Sequence, residues 1–358
     1  MQPSCPWPHD AVRSSQQALF RPLTGPIPCH TVLWHNIITF APDAAIDVSR
    51  EPLPIQPADI PLIKACPTPV KRATHEARYH ALLTAQTDQQ HQARLRSTAC
   101  RTAGAFLDTI HTSPKLSLSD GAFIDSCQYR LCVISFAPTA PPAQCACGHT
   151  IHGNDATHAM TCKHLPSSYQ YFRNDTVSDA IRNVTPRAGL TSTREPLYRE
   201  LDPTSDQAGQ ARGDIYTILT PGPGPTAIDT VVTHPGSVSA LSRGSATTQG
   251  TAASMSRRRK HATFASHRVQ SLTFKAFAIE SYGYVDAEAM SFMRSVSQAA
   301  ASTGHVTYGA FLASAHREIS VALCKGNYGI FRSGVQYYTR ASGHARLEGL
   351  QVPSDEVD

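Results

Sequence analysis

The chain has 358 residues, 41% hydrophobic, 7% aromatic and 16% charged, with a formal net charge of +5. That length suits one large domain or two ordinary ones, and so small a positive excess is compatible with nucleic acid without arguing for it. No run approaches the roughly 18–20 apolar residues of a membrane span, and Met1 to Phe20 lacks a charged-then-apolar leader pattern, so a soluble intracellular protein with reduced thiols is expected.

Thirteen of the 26 prolines fall in residues 1–70. Proline removes a backbone donor and disfavours helix in its predecessor, so this segment is expected to be extended and disordered, with Thr31 to Phe40 as a lone strand. From Val70 to Ile110 the composition turns helical with charge spread evenly, which predicts a solvated helix within a linker spanning 71–140. Ser119 or Asp120 can cap a helix running through Phe123 to Leu131, ended by Pro138, Pro141 and Pro142.

Residues 168–184 carry Phe172, Val177, Ile181 and Val184 at helical spacing. Ile215 to Leu219 and Ala227 to Val232 read as strands joined by the turn sequence Pro221 to Pro225. A Ser/Thr/Gly-rich loop from Gly236 to Ser254 precedes a basic helix near 255–272, and Phe274 to Ile279 reads as a third strand. Helices over 286–301, with Asp286 as N-cap, and over 307–324 follow, and 331–358 reads as a tail. The expected fold is α/β (α+β), a small mixed sheet flanked by helices over 167–330, preceded by a zinc knuckle in 141–166.

Seven of the ten cysteines are scattered; Cys145, Cys147 and Cys162 lie close together with His158. The spacing Cys145-x-Cys147-x10-His158-x3-Cys162 supplies two half-sites for a tetrahedral zinc, and Gly148 and Gly153 let the intervening loop fold around the ion. The one-residue gap in the first pair is tighter than usual. A set of four leaves no open position, which makes the metal structural. His149, His152 and His164 are alternative ligands that lack the helical spacing to Cys162.

Asp214 precedes one strand and Asp229 lies within the next, so a hairpin can bring both carboxylates to one end of a sheet. Two carboxylates with substrate phosphate oxygens suit Mg²⁺ or Mn²⁺, which can assist phosphodiester cleavage. The bland alternative is a solvent-facing aspartate on an edge strand. Glu195 is a third candidate carboxylate. Lys260 closes the run Arg257, Arg258, Arg259, Lys260, with Arg268 further on; a lysine beside the metals can hold the scissile phosphate or position water, whereas the whole run also fits a solvated face, an import patch or a phosphate-backbone contact.

In order along the chain, these motifs resemble the carboxy-terminal module of non-LTR retrotransposon proteins of the early-branching type. That family has a Cys/Cys/His/Cys knuckle ahead of a restriction-enzyme-like endonuclease related to PD-(D/E)XK enzymes. The resemblance runs through Leu118, Ser119, Asp120 and Phe123, the knuckle, Arg173-Asn174-Asp175, Glu195-Pro196, Arg212-Gly213-Asp214, Asp229 to Val232, Lys260-His261, Phe277 to Gly283 and Ile319 to Asn327. It covers about residues 105–330. It implies Asp214 and Asp229 as metal ligands, Lys260 as a catalytic lysine displaced onto a helix, and Glu195 and Glu280 as supporting carboxylates.

Three positions depart from the family pattern: Gly213 replaces proline, Asn174 replaces histidine, and Val231 stands where simpler nucleases carry lysine. No Tyr-x-Asp-Asp motif of a reverse transcriptase occurs. The expected function is therefore a metal-dependent, DNA-nicking endonuclease module of retroelement origin, intact or degenerate. Its expected partners are DNA and element RNA, its location the nucleus, and it makes no membrane association. The competing readings are a non-catalytic knuckle protein that binds nucleic acid and a zinc-stabilised interaction module.

Overall fold

The computed structural model describes residues 68–100, 102–109, 113–132, 145, 147–150, 156–164, 167–203, 210–219, 224–267 and 269–341. The expected strand over Thr31 to Phe40, most of the proline-rich segment, and the chain beyond residue 341 lie outside them. None of the described helices is long and apolar enough to cross a membrane.

The chain divides into two units, Met1–Ala85 and Gln86–Asp358. The described part of the first is helix α1 (Thr68–Ala85). The second unit opens with α2 (Gln89–Thr98), and the reason is local: the Asp88 carboxylate accepts from the Gln90 and His91 N–H groups at 2.6 and 3.1 Å. An N-cap in the middle of the expected single helix over 70–110 splits it in two. Helix α3 (Asp120–Leu131) is capped by Ser119, whose hydroxyl accepts from the Ala122 N–H at 3.3 Å, as its sequence predicted. Helices α4 (Ala156–Thr161) and α5 (Ser167–Arg187) follow.

The sheet is mixed, with four strands in the order β1-β2-β3-β4: β1 (Ser192–Arg194), β2 (Ile215–Leu219), β3 (Gly224–Thr233) and β4 (Thr273–Glu280). A single turn, α6 (Tyr198–Leu201), lies between β1 and β2. The first three strands pair antiparallel, and β4 joins β3 in parallel after a crossover through α7 (Val238–Leu241) and α8 (Thr251–Ser266). The segment expected as a plain loop, Gly236 to Ser254, thus contains α7, capped by Ser237, and the first turn of α8.

Strand β3 is central and covered on both faces, which accounts for its nearly unbroken apolar run. Ile228 and Val232 face the main core, where Phe277 and Ile279 of β4 meet Val177, Ile181 and Val184 of α5. The same core takes in α9 (Ala287–Ser302), capped by Asp286 as expected, and α10 (Tyr308–Ala341). The opposite face of β3 carries Ala227, Asp229 and Val231; Val231 packs on Ala253 of α8 and Ala278 of β4. Helix α10 runs on past the expected end near 324. Gly326 does not stop it, because that glycine is where α5 passes closest: a Cβ there would lie 2.6 Å from Arg173 Cγ.

Candidate functional site

Strand register assembles the acidic site. Ile215 pairs with Ile228 and Arg194 with Ile215, so the next row across the sheet holds Glu195, Asp214 and Asp229. The Glu195 N–H donates to the Asp214 carbonyl at 3.0 Å, which extends the β1–β2 ladder to that row. Residues directly opposite one another in antiparallel strands share a face, about 4.5–5.5 Å apart at Cβ. Asp214 and Asp229 therefore face each other on the side covered by α8.

Lys260 comes down from α8, and its Nζ donates to Asp229 Oδ1 at 2.6 Å. Val231, two residues on and on the same face, is buried beneath that helix. The position where a simpler nuclease would carry its lysine is thus taken by a packing residue, and an ammonium reaches the carboxylates from the helix above. The Thr230 N–H donates to Asp214 Oδ2 at 2.6 Å, and Ser178 of α5 lies 3.5 Å from the same oxygen. Burial, followed by the charge of Asp229, pushes the Asp214 carboxyl up to about 6, against the Thr230 hydrogen bond and the Lys260 charge, which lower it.

Glu195 occupies the row by its backbone, yet its carboxylate is paired with Arg194 Nε at 3.1 Å and half exposed. Its φ of +47° is left-handed, a strained conformation for glutamate that turns the chain out of β1. Glu280 stands four pairs along β4 from the partner of Asp229. It is 1% exposed and accepts from the Ala253 N–H at 3.3 Å, at the start of α8, whose N-cap Gly250 has no side chain to do so. Its role there is to cap the helix that carries Lys260, away from the aspartate pair.

The basic run divides. Arg257 is committed within the protein, to Asp286 at 3.2 Å and Glu288 at 3.7 Å, so it is not a free phosphate contact. Arg258 and Arg259 are exposed, and Arg268 lies outside the described residues.

Two departures from the family pattern have local causes. A Cβ at Gly213 would lie a tight 3.2 Å from the Tyr198 ring, and the Gly213 N–H, which proline lacks, donates to the Pro196 carbonyl at 3.3 Å. Asn174 Oδ1 accepts the Val232 N–H at 3.1 Å. Tyr198, Ser178 and Asp175 were not singled out for the site from sequence. Asp175 senses the charge of Glu195, and Tyr198 that of both aspartates, and burial is the main cause that raises each. No spacing rule links these residues to Asp214; only the tertiary packing of α5 and α6 on the sheet does.

The second cluster is the Cys3His set Cys145, Cys147, His158 and Cys162, whose ligand atoms all lie within 4.8 Å of one another. The tight first pair is made by a turn: the Gly148 N–H donates to the Cys145 carbonyl at 2.8 Å and the Cys145 N–H to the His149 carbonyl at 2.9 Å. Gly148 at φ +85° supplies the left-handed residue this needs. Helix α4 carries His158, and Cys162 follows the helix one turn on, its N–H donating to the His158 carbonyl at 2.8 Å.

The Sγ atoms of Cys145 and Cys162 are 3.5 Å apart, and Cys147 Sγ is 3.6 Å from His158 Nε2. Zinc bonds of about 2.0–2.3 Å give tetrahedral edges of roughly 3.5–3.8 Å. The set can hold a metal ion such as zinc. Burial pushes the Cys145 thiol up to about 12, so ionising it at neutral pH calls for a cation. Of the alternative ligands, His149 stacks on the His158 ring with centroids 4.2 Å apart, and His164 donates its backbone N–H to Cys162 Sγ at 3.4 Å. Neither belongs to the ligand set, and His152 lies outside the described residues.

No protein-family model and no curated protein sequence matches this chain.

Proposed function

We propose that the chain is a metal-dependent endonuclease module of retroelement origin that nicks DNA in the nucleus, with the Cys3His centre holding a structural zinc. The observation that carries this reading is the pairing of Asp214 and Asp229 across adjacent strands with the Lys260 ammonium 2.6 Å from Asp229. Two hard carboxylates, one of them buried and pushed up to about 6, favour the approach of a divalent cation with its own waters, so the donor set fits Mg²⁺ or Mn²⁺. Such an ion supplies Lewis-acid activation of water and charge for the departing oxygen.

The protein's own groups do the rest. Asp214 and Asp229 hold the site's negative charge, and the Thr230 N–H fixes the orientation of the Asp214 carboxylate. Lys260, on a side chain able to leave Asp229, holds a non-bridging phosphate oxygen of the scissile diester. Arg258 and Arg259, exposed on α8, attract the phosphate backbone of DNA, or of element RNA. The local causes found for Gly213, Asn174 and Val231 favour a working site over a decayed one, since each departure is matched by a compensating contact.

The test is nicking of supercoiled plasmid with Mg²⁺ or Mn²⁺ by wild type, Asp214→Ala and Asp229→Ala, each checked for folding. Wild-type nicking lost in both variants is expected. Equal nicking in all three removes the assignment and leaves a non-catalytic nucleic-acid-binding protein, identified by salt-dependent DNA binding without cleavage.

A further inference from the structure

Between the two clusters lies a buried cation that neither of them uses. Arg173 of α5 is 4% exposed, no carboxylate pairs with it among the described residues, and its Nε has no hydrogen-bond partner among them. A guanidinium buried in this way is costly to keep.

Its two remaining groups reach in different directions. Nη1 donates to Met160 Sδ at 3.3 Å, in α4 between the ligands His158 and Cys162. Nη2 donates to the Val232 carbonyl at 3.3 Å, on β3 three residues beyond Asp229.

The contact with Val232 replaces a missing strand. Strand β2 begins at Ile215, opposite Ile228, so among the described residues β3 has no strand beside it on that edge from Thr230 onward. The polar groups left over there are taken up by side chains: Asp214 accepts the Thr230 N–H, Asn174 accepts the Val232 N–H, and Arg173 donates to the Val232 carbonyl. The half of β3 that carries Asp229 is thus held on one edge by side chains, and one of these also touches the metal-ligand helix. Gly326 lets α10 close over the Arg173 stem.

We propose that Arg173 is a positioning residue that couples occupancy of the Cys3His centre to the placement of the Asp229 strand. The proposal rests on the zinc reading given above. Helix α4 has six residues, too few to be stable alone, so it depends on its buried Ala159 and Met160 and on its ligands being gathered on an ion. When the ion leaves, Met160 withdraws, water reaches the guanidinium, and its bond to Val232 is exchanged for hydration, which loosens β3 beside Asp229.

Amide hydrogen exchange of the segment spanning Thr230 to Thr233 tests this in the full chain, zinc-loaded and zinc-stripped, for wild type, Arg173→Met and Met160→Ala. In wild type, stripping is expected to raise exchange about tenfold. Arg173→Met is expected to bind one zinc, to show the raised exchange with zinc present, and to change little on stripping. Met160→Ala keeps the arginine but removes the side chain that shields it, so it is expected to bind zinc, to show raised exchange with zinc present and to change little on stripping; it also serves if Arg173→Met does not fold. Arg173→Lys, with a point charge and no fork, is expected to resemble Arg173→Met. Zinc bound by wild type with exchange that ignores its removal overturns the coupling alone, as does a full wild-type response in Arg173→Met. Absence of zinc binding overturns the metal reading and this proposal together. Because exchange needs no cleavage, a protein that does not nick leaves this result interpretable.

Discussion

The two clusters are built in opposite ways. The Cys3His centre draws its ligands from 18 consecutive positions, Cys145 to Cys162, with one turn and one short helix to shape it. The acidic site takes Asp214 from the entry to β2, Asp229 from the middle of β3 and Lys260 from the crossover helix α8. Its lysine is 31 residues from the aspartate it meets. The first is a local object whose geometry is closed; the second exists only when the sheet is in register. Soft ligands are gathered here by local geometry, and hard ones by long-range packing.

The contrast can be broken most sharply at the carboxylates. Asp214→Ala or Asp229→Ala is expected to lower the plasmid nicking rate by about 100-fold or more with thermal stability retained, and Lys260→Met by about 100-fold. Variants that unfold instead would mean that the pair is structural. At the other cluster, Cys162→Ser or chelation is expected to remove the zinc and lower the melting temperature by several degrees, read by metal analysis and a thermal scan. A stripped protein with unchanged melting behaviour would mean that the centre fastens nothing.

A smaller effect separates the two regions by pH. Burial raises the Glu280 carboxyl from 4.5 to about 7, and Asp214 from 3.8 to about 6. Each binds its proton more tightly in the folded state, so the stability they contribute is full at low pH and is lost as pH rises through these windows. Glu280→Gln keeps a neutral, protonated-like side chain at the start of α8. It is expected to remove the loss between pH 4.5 and 7, a relative gain of up to roughly 3 kcal/mol at pH 7 in denaturant titrations. The same slope in wild type and variant would assign the pH dependence elsewhere.

The smallest effect tests the close approach at Gly213. Gly213→Ala puts a methyl 3.2 Å from the Tyr198 ring, and a loss of about 1 kcal/mol is expected. No further loss from Gly213→Ala in a Tyr198→Ala background would locate the cost in that contact.

Much of the fold was legible because the signals were local. The three apolar strands, the Ser119 and Asp286 caps and the helix bearing Val177, Ile181 and Val184 follow from periodicity and capping chemistry that act within a few residues. The break at Asp88 was missed because one capping carboxylate outweighed a helix-favouring composition on both sides of it. The continuation of α10 past 324 was not legible, because that stretch packs against α5, a helix about 150 residues earlier that approaches it at Gly326.

The site divides along the same line. Residue spacing by itself determined the Cys3His set, since two ligand pairs a few residues apart can converge with little help from the rest of the chain. It also singled out Asp214, Asp229 and Lys260 as candidates, to which the resemblance attached catalytic roles. Tertiary structure alone decided that the two aspartates share a face, that Lys260 and not a strand lysine meets them, that Glu195 turns aside to Arg194 and that Glu280 caps a helix. The physical reason is register: a slip of one residue in β2 against β3 would move Asp214 to the other face of the sheet, and what holds that register is packing summed over both faces of β3, which no single motif contains.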